Sequence, residues 1–292
     1  MAERVMTQEE SIDYLLRRSQ RRDDVFPIRR EFVQARVPGQ HGEPTTGPGP
    51  LSKLLRLPHA LELLLLVYAV TTSGDYGVTE RSQLWGRAAG IYMRADKQAS
   101  IVVSRQWQHL EKLGLIERRP DGHLKRIVKL RECGPVGGIQ LPYAAPTGAK
   151  GDVYFRVPFS YWRDGWHKKL EMPGKAVLLA AMSRRKETFT LPQDTRGARA
   201  LGLGRHTVAR GIEELRGHKL LLDAGFNEVM NARKMRGFEW VHTYRLAAPF
   251  DLNLSNAEIE RKEAVERLKA EEQVALLLQG FNAVDGQVLP AK

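Results

Sequence analysis

The stretch SRQWQHLEKLGLIERRPDGHLKRIVKL, residues 104–130, decides the fold. Val103, Trp107, Leu110 and Leu113 recur at three- and four-residue spacings, so they share one face of a helix that Gly114 is placed to stop. Beyond the glycine, two strand-like runs flank PDGH (120–123), and Asp-Gly between such runs is a strong short-range hairpin signal. The segment reads as an amphipathic helix followed by a two-stranded hairpin.

Working outward, the 292 residues are 42% hydrophobic, enough for roughly two domains with cores of their own. The single cysteine, Cys133, can form neither an intramolecular disulfide nor a thiolate zinc cluster, which points to a reducing compartment. The most apolar run, LLLLVYAV (63–70), is far below the roughly 20 residues of a membrane span. MAERVMTQEE has acidic residues where a signal peptide would turn apolar. The expectation is a cytoplasmic, nucleoid-associated protein without a membrane segment.

The formal charge of +12 is unevenly spread: 0 over 1–50, +7 over 51–150, +7 over 151–254 and −2 over 255–292. Two strongly basic central blocks suit a polyanionic partner, nucleic acid first. The alternative is an Arg-rich composition with no such partner. Block boundaries fall at PGQHGEPTTGPGP (38–50) and CGPVGGIQLPYAAPTGAKGD (133–152), both too rich in Gly and Pro for regular helix. The expected division is a helical, Arg-rich N-terminal segment with a linker (1–50), a first module (51–132), a linker (133–152), a second module (153–254), and a C-terminal helix and tail (255–292). Ser255 is a plausible N-cap for that helix, whose span 255–280 lacks Pro and internal Gly.

The second module repeats the pattern of the first. At an offset of 105, Val103 aligns with Val208, Arg105 with Arg210, Trp107 with Ile212, Leu110 with Leu215 and Leu115 with Leu220. Upstream, LPHALELLLLVYAV (57–70) matches MPGKAVLLAAMS (172–183), each with a Pro near the start of an apolar helix. The offset there is 115, which leaves about ten extra residues around 90–99 of the first module. Expected helices span about 57–71, 79–89 and 98–113, with strands near 115–119 and 124–131; in the second module, 173–183, 193–201 and 205–217, with strands near 219–224 and 238–247.

Three helices and a hairpin, twice over, are the order of the winged helix-turn-helix, whose third helix enters the major groove. The fold class expected is therefore mainly α with small β-hairpin wings (α+β): two tandem winged helix-turn-helix domains and a C-terminal helix. LGLGRHTVARGIEELRGHKLL (201–221) resembles the helix-turn-helix of GntR-type regulators at Leu201, Gly202, Arg205, Thr207, Val208, Ile212 and Leu215. It departs from that pattern where Gly204 replaces the usual Ser and Gly211 the usual Ala, which predicts a looser helix. VSRQWQHLEKLGLIER (103–118) is similar to the third helix and first wing strand of MarR-like proteins. VYFRVPFSYWRDGWHKKLEMPGKAVLLAAMS (153–183) resembles the opening of plasmid and phage replication-initiator winged helices; the bland reading of its Phe155, Phe159, Trp162 and Trp166 is that they cover one end of the core.

With the apolar face inward, Ser104, Arg105, Gln108, His109 and Lys112 turn outward, and Arg105 and Gln108 have the side chains that read G and A edges. Arg118, Arg119, Lys125 and Arg126 flank the hairpin tip, where a wing meets phosphate. In the second module the outward set is Arg205, His206, Thr207 and Arg210, with Arg233, Lys234 and Arg236 in a long wing loop. Glu213 and Glu214 would repel phosphate if they faced it.

No H-E-x-x-H, phosphate loop, G-x-S-x-G or strand-preceded G-x-G-x-x-G is present, and the eight histidines lack metal spacing. Neither an enzyme nor a cofactor or metal is expected. The residues point to a sequence-specific double-stranded-DNA-binding protein, a transcription regulator. A replication initiator binding origin repeats and a protein-interaction scaffold are the alternatives. A homodimer or another protein partner would use 255–280 or the N-terminal segment, whose balanced charge suits docking better than DNA.

Overall fold

The structure, a computed structural model, describes residues 4–38, 44–91, 96–192, 195–232 and 234–254, and position 264. Helix α1 (Gln8–Arg18) starts with a capping box: the Thr7 hydroxyl accepts from the Glu10 N–H at 3.1 Å, and the Glu10 carboxylate from the Thr7 N–H at 2.8 Å. Its Ile12, Leu15 and Leu16 are buried. There the N-terminal helix ends. Strand β1 (Val25–Arg29) follows, buries Phe26 and Ile28, and leads through a 3-10 turn into β2 (Gln34–Pro38). Residues 44–48, read from sequence as part of a linker, form strand β3 (Pro44–Pro48), antiparallel to β2. A two-stranded ribbon tolerates these prolines because each strand has an edge where no N–H is needed.

Short helix α2 (Leu51–Leu54) precedes α3 (Pro58–Val70), which takes Pro58 in its first turn and is buried from Ala60 to Val70. A helix apolar on every face belongs inside a core. Then come β4 (Gly77–Thr79), α4 (Ser82–Ala88), α5 (Asp96–Lys112), β5 (Ile116–Asp121) and β6 (Leu124–Lys129). The three strands form one antiparallel sheet in the order β4-β6-β5. The hairpin closes between paired Asp121 and Leu124, with Gly122 at φ +56°, a conformation that glycine adopts without Cβ strain.

After an irregular segment come β7 (Tyr154–Pro158), α6 (Ser160–Arg163), α7 (Trp166–Lys169), α8 (Met172–Met182), β8 (Phe189–Thr190), α9 (Thr195–Ala200), α10 (Arg205–Gly217), β9 (Leu221–Met230) and β10 (Phe238–Leu246). The second three-stranded sheet runs β8-β10-β9. Helix, strand, helix, helix, hairpin therefore occurs twice, with the same sheet order each time. The chain is mixed α and β with small antiparallel sheets. Strands β4 and β8, absent from the sequence reading, complete the two sheets.

Residues Met1–Asn253 form one compact unit and Leu254–Lys292 a second. The helix expected over 255–280 lies outside the described residues, except for helical position 264. Within the first unit, β1 pairs with β7 from Val25 opposite Pro158 to Arg29 opposite Tyr154, so the N-terminal segment is part of the same core. Phe155, Phe159 and Trp162 are buried, and Phe26 stacks on Trp162 at 5.6 Å. The segment 133–152 is tied down by Arg29, which donates to Glu132 (2.8 Å), Asp152 (2.5 Å) and the Ala144 carbonyl (2.8 Å). No described helix is long and apolar enough to cross a membrane.

Candidate nucleic-acid interface

The faces of α5 follow the spacing of its apolar residues. Val103, Trp107 and Leu110 are buried, with Trp107 edge-on to Trp85 at 5.4 Å, while Arg105, Gln108, His109 and Lys112 are exposed and Ser104 is half-buried. Four polar side chains on one solvent face of a helix, two of them able to pair with base edges, make a surface of the kind that fits a groove.

The adjoining hairpin is less free than its charge suggests. Arg118 is drawn back onto α5, where Glu111 accepts from its Nε (3.0 Å), its Nη2 (2.6 Å) and its backbone N–H (3.2 Å). Arg126 is held by Asp75 at 2.8 and 2.5 Å, and the Asp75 carboxyl lies near 2, chiefly because of that hydrogen bond. Arg119 pairs with Glu117 at 2.7 Å and approaches Asp75 at 3.9 Å. Lys125 alone of the four predicted cations has no ion pair among the described residues. Asp75 and Glu111 were missed by sequence reading, since each pairs with a residue of another element and such a pair leaves no periodic trace.

On α10, Val208, Ile212 and Leu215 are buried, Arg205, His206 and Arg210 are exposed, and Thr207 is half-buried. Arg210 pairs with Glu171 at 2.9 Å, both side chains largely in solvent. Such a pair is weak and can exchange partners. Glu214 does not face outward: its carboxylate accepts from the Glu171 N–H (2.6 Å) and the Gly174 N–H (3.0 Å), capping the start of α8. Of the two glutamates only Glu213 remains exposed.

Gly211 also has a different role from the one its sequence context suggested. A Cβ there would lie 2.4 Å from the Pro173 carbonyl oxygen and 2.5 Å from Val177, so α10 and α8 cross in close backbone contact. Glycine is what lets the helices meet.

The second hairpin is long, with β9 of ten residues and β10 of nine. Lys234 and Arg236 are exposed beyond its paired rows, Lys234 lying 3.9 Å from Glu239; Arg233 is outside the described residues. Its register puts Phe226 opposite His242, Glu228 opposite Trp240 and Met230 opposite Phe238, all on one face. Phe226, Met230, Phe238 and Trp240 are exposed there, an apolar stripe that the sequence reading did not single out. The signal was available as alternation in residues 238, 240 and 242.

No group of three or more His, Cys, Asp or Glu among the described residues could hold a metal ion. No family model matches the chain, and no curated protein or solved structure matches it.

Proposed function

We propose that the chain is a double-stranded-DNA-binding protein made of two tandem winged helix-turn-helix modules, with α5 and α10 as recognition helices, acting as a transcription regulator. The observation that carries this reading is the repeated order of helix, strand, helix, helix and hairpin with matching sheet order, each third helix exposing Arg and polar side chains. The charge of +7 on each central block supports it, because phosphate neutralisation supplies most of the affinity for duplex DNA. Arg105 and Gln108 read bases on the first helix, and Arg205, His206, Thr207 and Arg210 meet DNA on the second. Lys125, Lys234 and Arg236 reach phosphate from the hairpins.

The test is genome-wide crosslinking of the protein to DNA in its host, followed by sequencing of the bound fragments. Discrete promoter peaks sharing a motif are expected. A single cluster at an origin of replication would replace the regulator with an initiator. No enrichment anywhere would remove the DNA-binding reading and leave a protein scaffold.

A further inference from the structure

Most arginines that this protein takes out of water are given partners. Arg29 has Glu132 and Asp152, Arg118 has Glu111, and Arg21 donates to the carbonyls of Ala69 (2.8 Å), Thr71 (3.0 Å) and Tyr68 (3.2 Å). Arg30 and Arg184 break the pattern, and Arg36 lies beside Arg30. Arg30 and Arg184 are half-buried and Arg36 is exposed, yet no side chain of the three has a hydrogen-bond or ion-pair partner among the described residues. The Arg184 Nε is fully buried and unpaired. Arg30 feels one of the other charges and acts on the third: burial and then the Arg36 charge disfavour the Arg30 cation, and burial and then the Arg30 charge disfavour that of Arg184.

A notch of about 150 Å³ opens beside this cluster, lined by Arg30, Gln34, Arg36, Thr46, Gly151 and Val153, with Glu31 also in its wall. The Glu31 carboxylate is engaged by Arg131 at 3.4 Å, and no ion pair joins it to Arg30 or Arg36 among the described residues. Gly151 presents bare backbone: a Cβ there would come within 3.2 Å of the Arg36 Nη1. Desolvated guanidinium groups without counter-ions are costly, and a bound anion offsets both the desolvation cost and the repulsion. Guanidinium forks from two arginines, a threonine hydroxyl and a glutamine amide offer donors from several directions, which suits a tetrahedral oxyanion better than a planar carboxylate.

We propose that this notch is a phosphate-binding site, with Arg30 and Arg36 clamping the phosphate oxygens and Thr46 and Gln34 completing the donor set. The phosphate comes from a DNA backbone or from free phosphate, and only the first source rests on the duplex-binding reading.

The test uses the full chain, its Arg36→Gln variant and its Arg30→Gln/Arg36→Gln variant. Thermal melts compare inorganic phosphate with chloride at matched ionic strength, and fluorescence anisotropy measures affinity for duplex DNA. Arg36→Gln removes an exposed, unpaired cation, so it retains the fold and melts in chloride no lower than the wild type. For a free-phosphate site, phosphate raises the wild-type melting temperature and the rise is lost in both variants while DNA affinity is unchanged. For a backbone site, the double variant binds DNA about tenfold more weakly, with a salt slope shallower by about 2. If the wild type fails to bind DNA but its phosphate stabilisation is lost in the variants, the site stands and the duplex reading fails. No phosphate-specific stabilisation together with unchanged DNA affinity in the variants overturns the proposal.

Discussion

Asp75 sets how much charge the first hairpin can offer to a polyanion. Its carboxylate holds Arg126 with two hydrogen bonds, chiefly through which its pKa is lowered to about 2, so the pair is charged at neutral pH. Asp75→Asn keeps the shape and removes the competing charge. Duplex affinity should rise severalfold, and the salt slope should steepen by about 1, as one more phosphate contact becomes available. An unchanged slope by anisotropy would show that Arg126 does not meet phosphate. Lys129 gives a second expectation at this scale. Its ammonium is buried against the Tyr143 ring at 3.9 Å and donates to the Thr71 carbonyl at 2.9 Å. Its pKa is lowered to about 7, first by burial and then by the Arg21 charge, with Glu132 opposing. Between about 7 and 10.5 the unfolded chain holds a proton on Lys129 that the folded chain has released, so stability rises with pH across that window. Urea midpoints should increase from pH 7 to pH 9 in the wild type and lose that increase in Lys129→Met. Above about pH 10 the trend reverses, because burial raises the Tyr68 and Tyr143 phenols and the folded state resists their ionisation. Which residues face outward was legible in the sequence, because side-chain direction follows helical period. Which of them are already paired was not, since Arg126 and Asp75 meet only through the sheet of β4 and β6.

At the scale of elements, the decisive contact is the crossing of α8 and α10. Gly211→Ala forces a methyl into the Pro173 carbonyl and should destabilise the fold by about 1–3 kcal/mol. Gly217→Ala, near the end of the same helix with nothing within 4 Å of the added Cβ, should be neutral or stabilise by up to about 1 kcal/mol. Equal effects in thermal melts would remove the close-approach role of Gly211. The main helices and both hairpins could be read from apolar period and turn chemistry. Strands β4 and β8 have three and two residues, too few for alternation to register, and exist because β6 and β10 offer an edge to pair with. Strand β3 was hidden by its own prolines and glycine, which read as a linker until the antiparallel partner β2 is supplied.

At the scale of the molecule, the two repeats meet through a buried polar junction. Glu62 of α3 accepts from Lys175 of α8 at 2.6 Å and from the Tyr161 hydroxyl at 2.8 Å. Both charged side chains are under a tenth exposed. Glu62→Gln strands the Lys175 charge and should cost about 3–5 kcal/mol, whereas the paired change Glu62→Leu/Lys175→Leu should recover most of that loss. Recovery no greater than the single change, measured by denaturant unfolding, would show that the pair is not coupled. Sequence spacing treated the repeats as separate blocks because the charges that join them lie on helices whose other buried residues are apolar on every face, which hides the contact face. The exposed polar faces of α5 and α10, by contrast, follow from each block on its own.

The most direct test of the central claim is the salt dependence of duplex-DNA affinity for the wild type, Arg105→Ala, Arg210→Ala and the double variant. Both arginines are exposed, so the fold should be retained and circular dichroism can verify it. Each single change should weaken binding by about 1–3 kcal/mol, the double change should weaken it by roughly the sum, and the salt slope should become shallower at each step. Double-variant binding equal to wild type at every salt concentration would contradict the assignment of α5 and α10 as the helices that meet DNA.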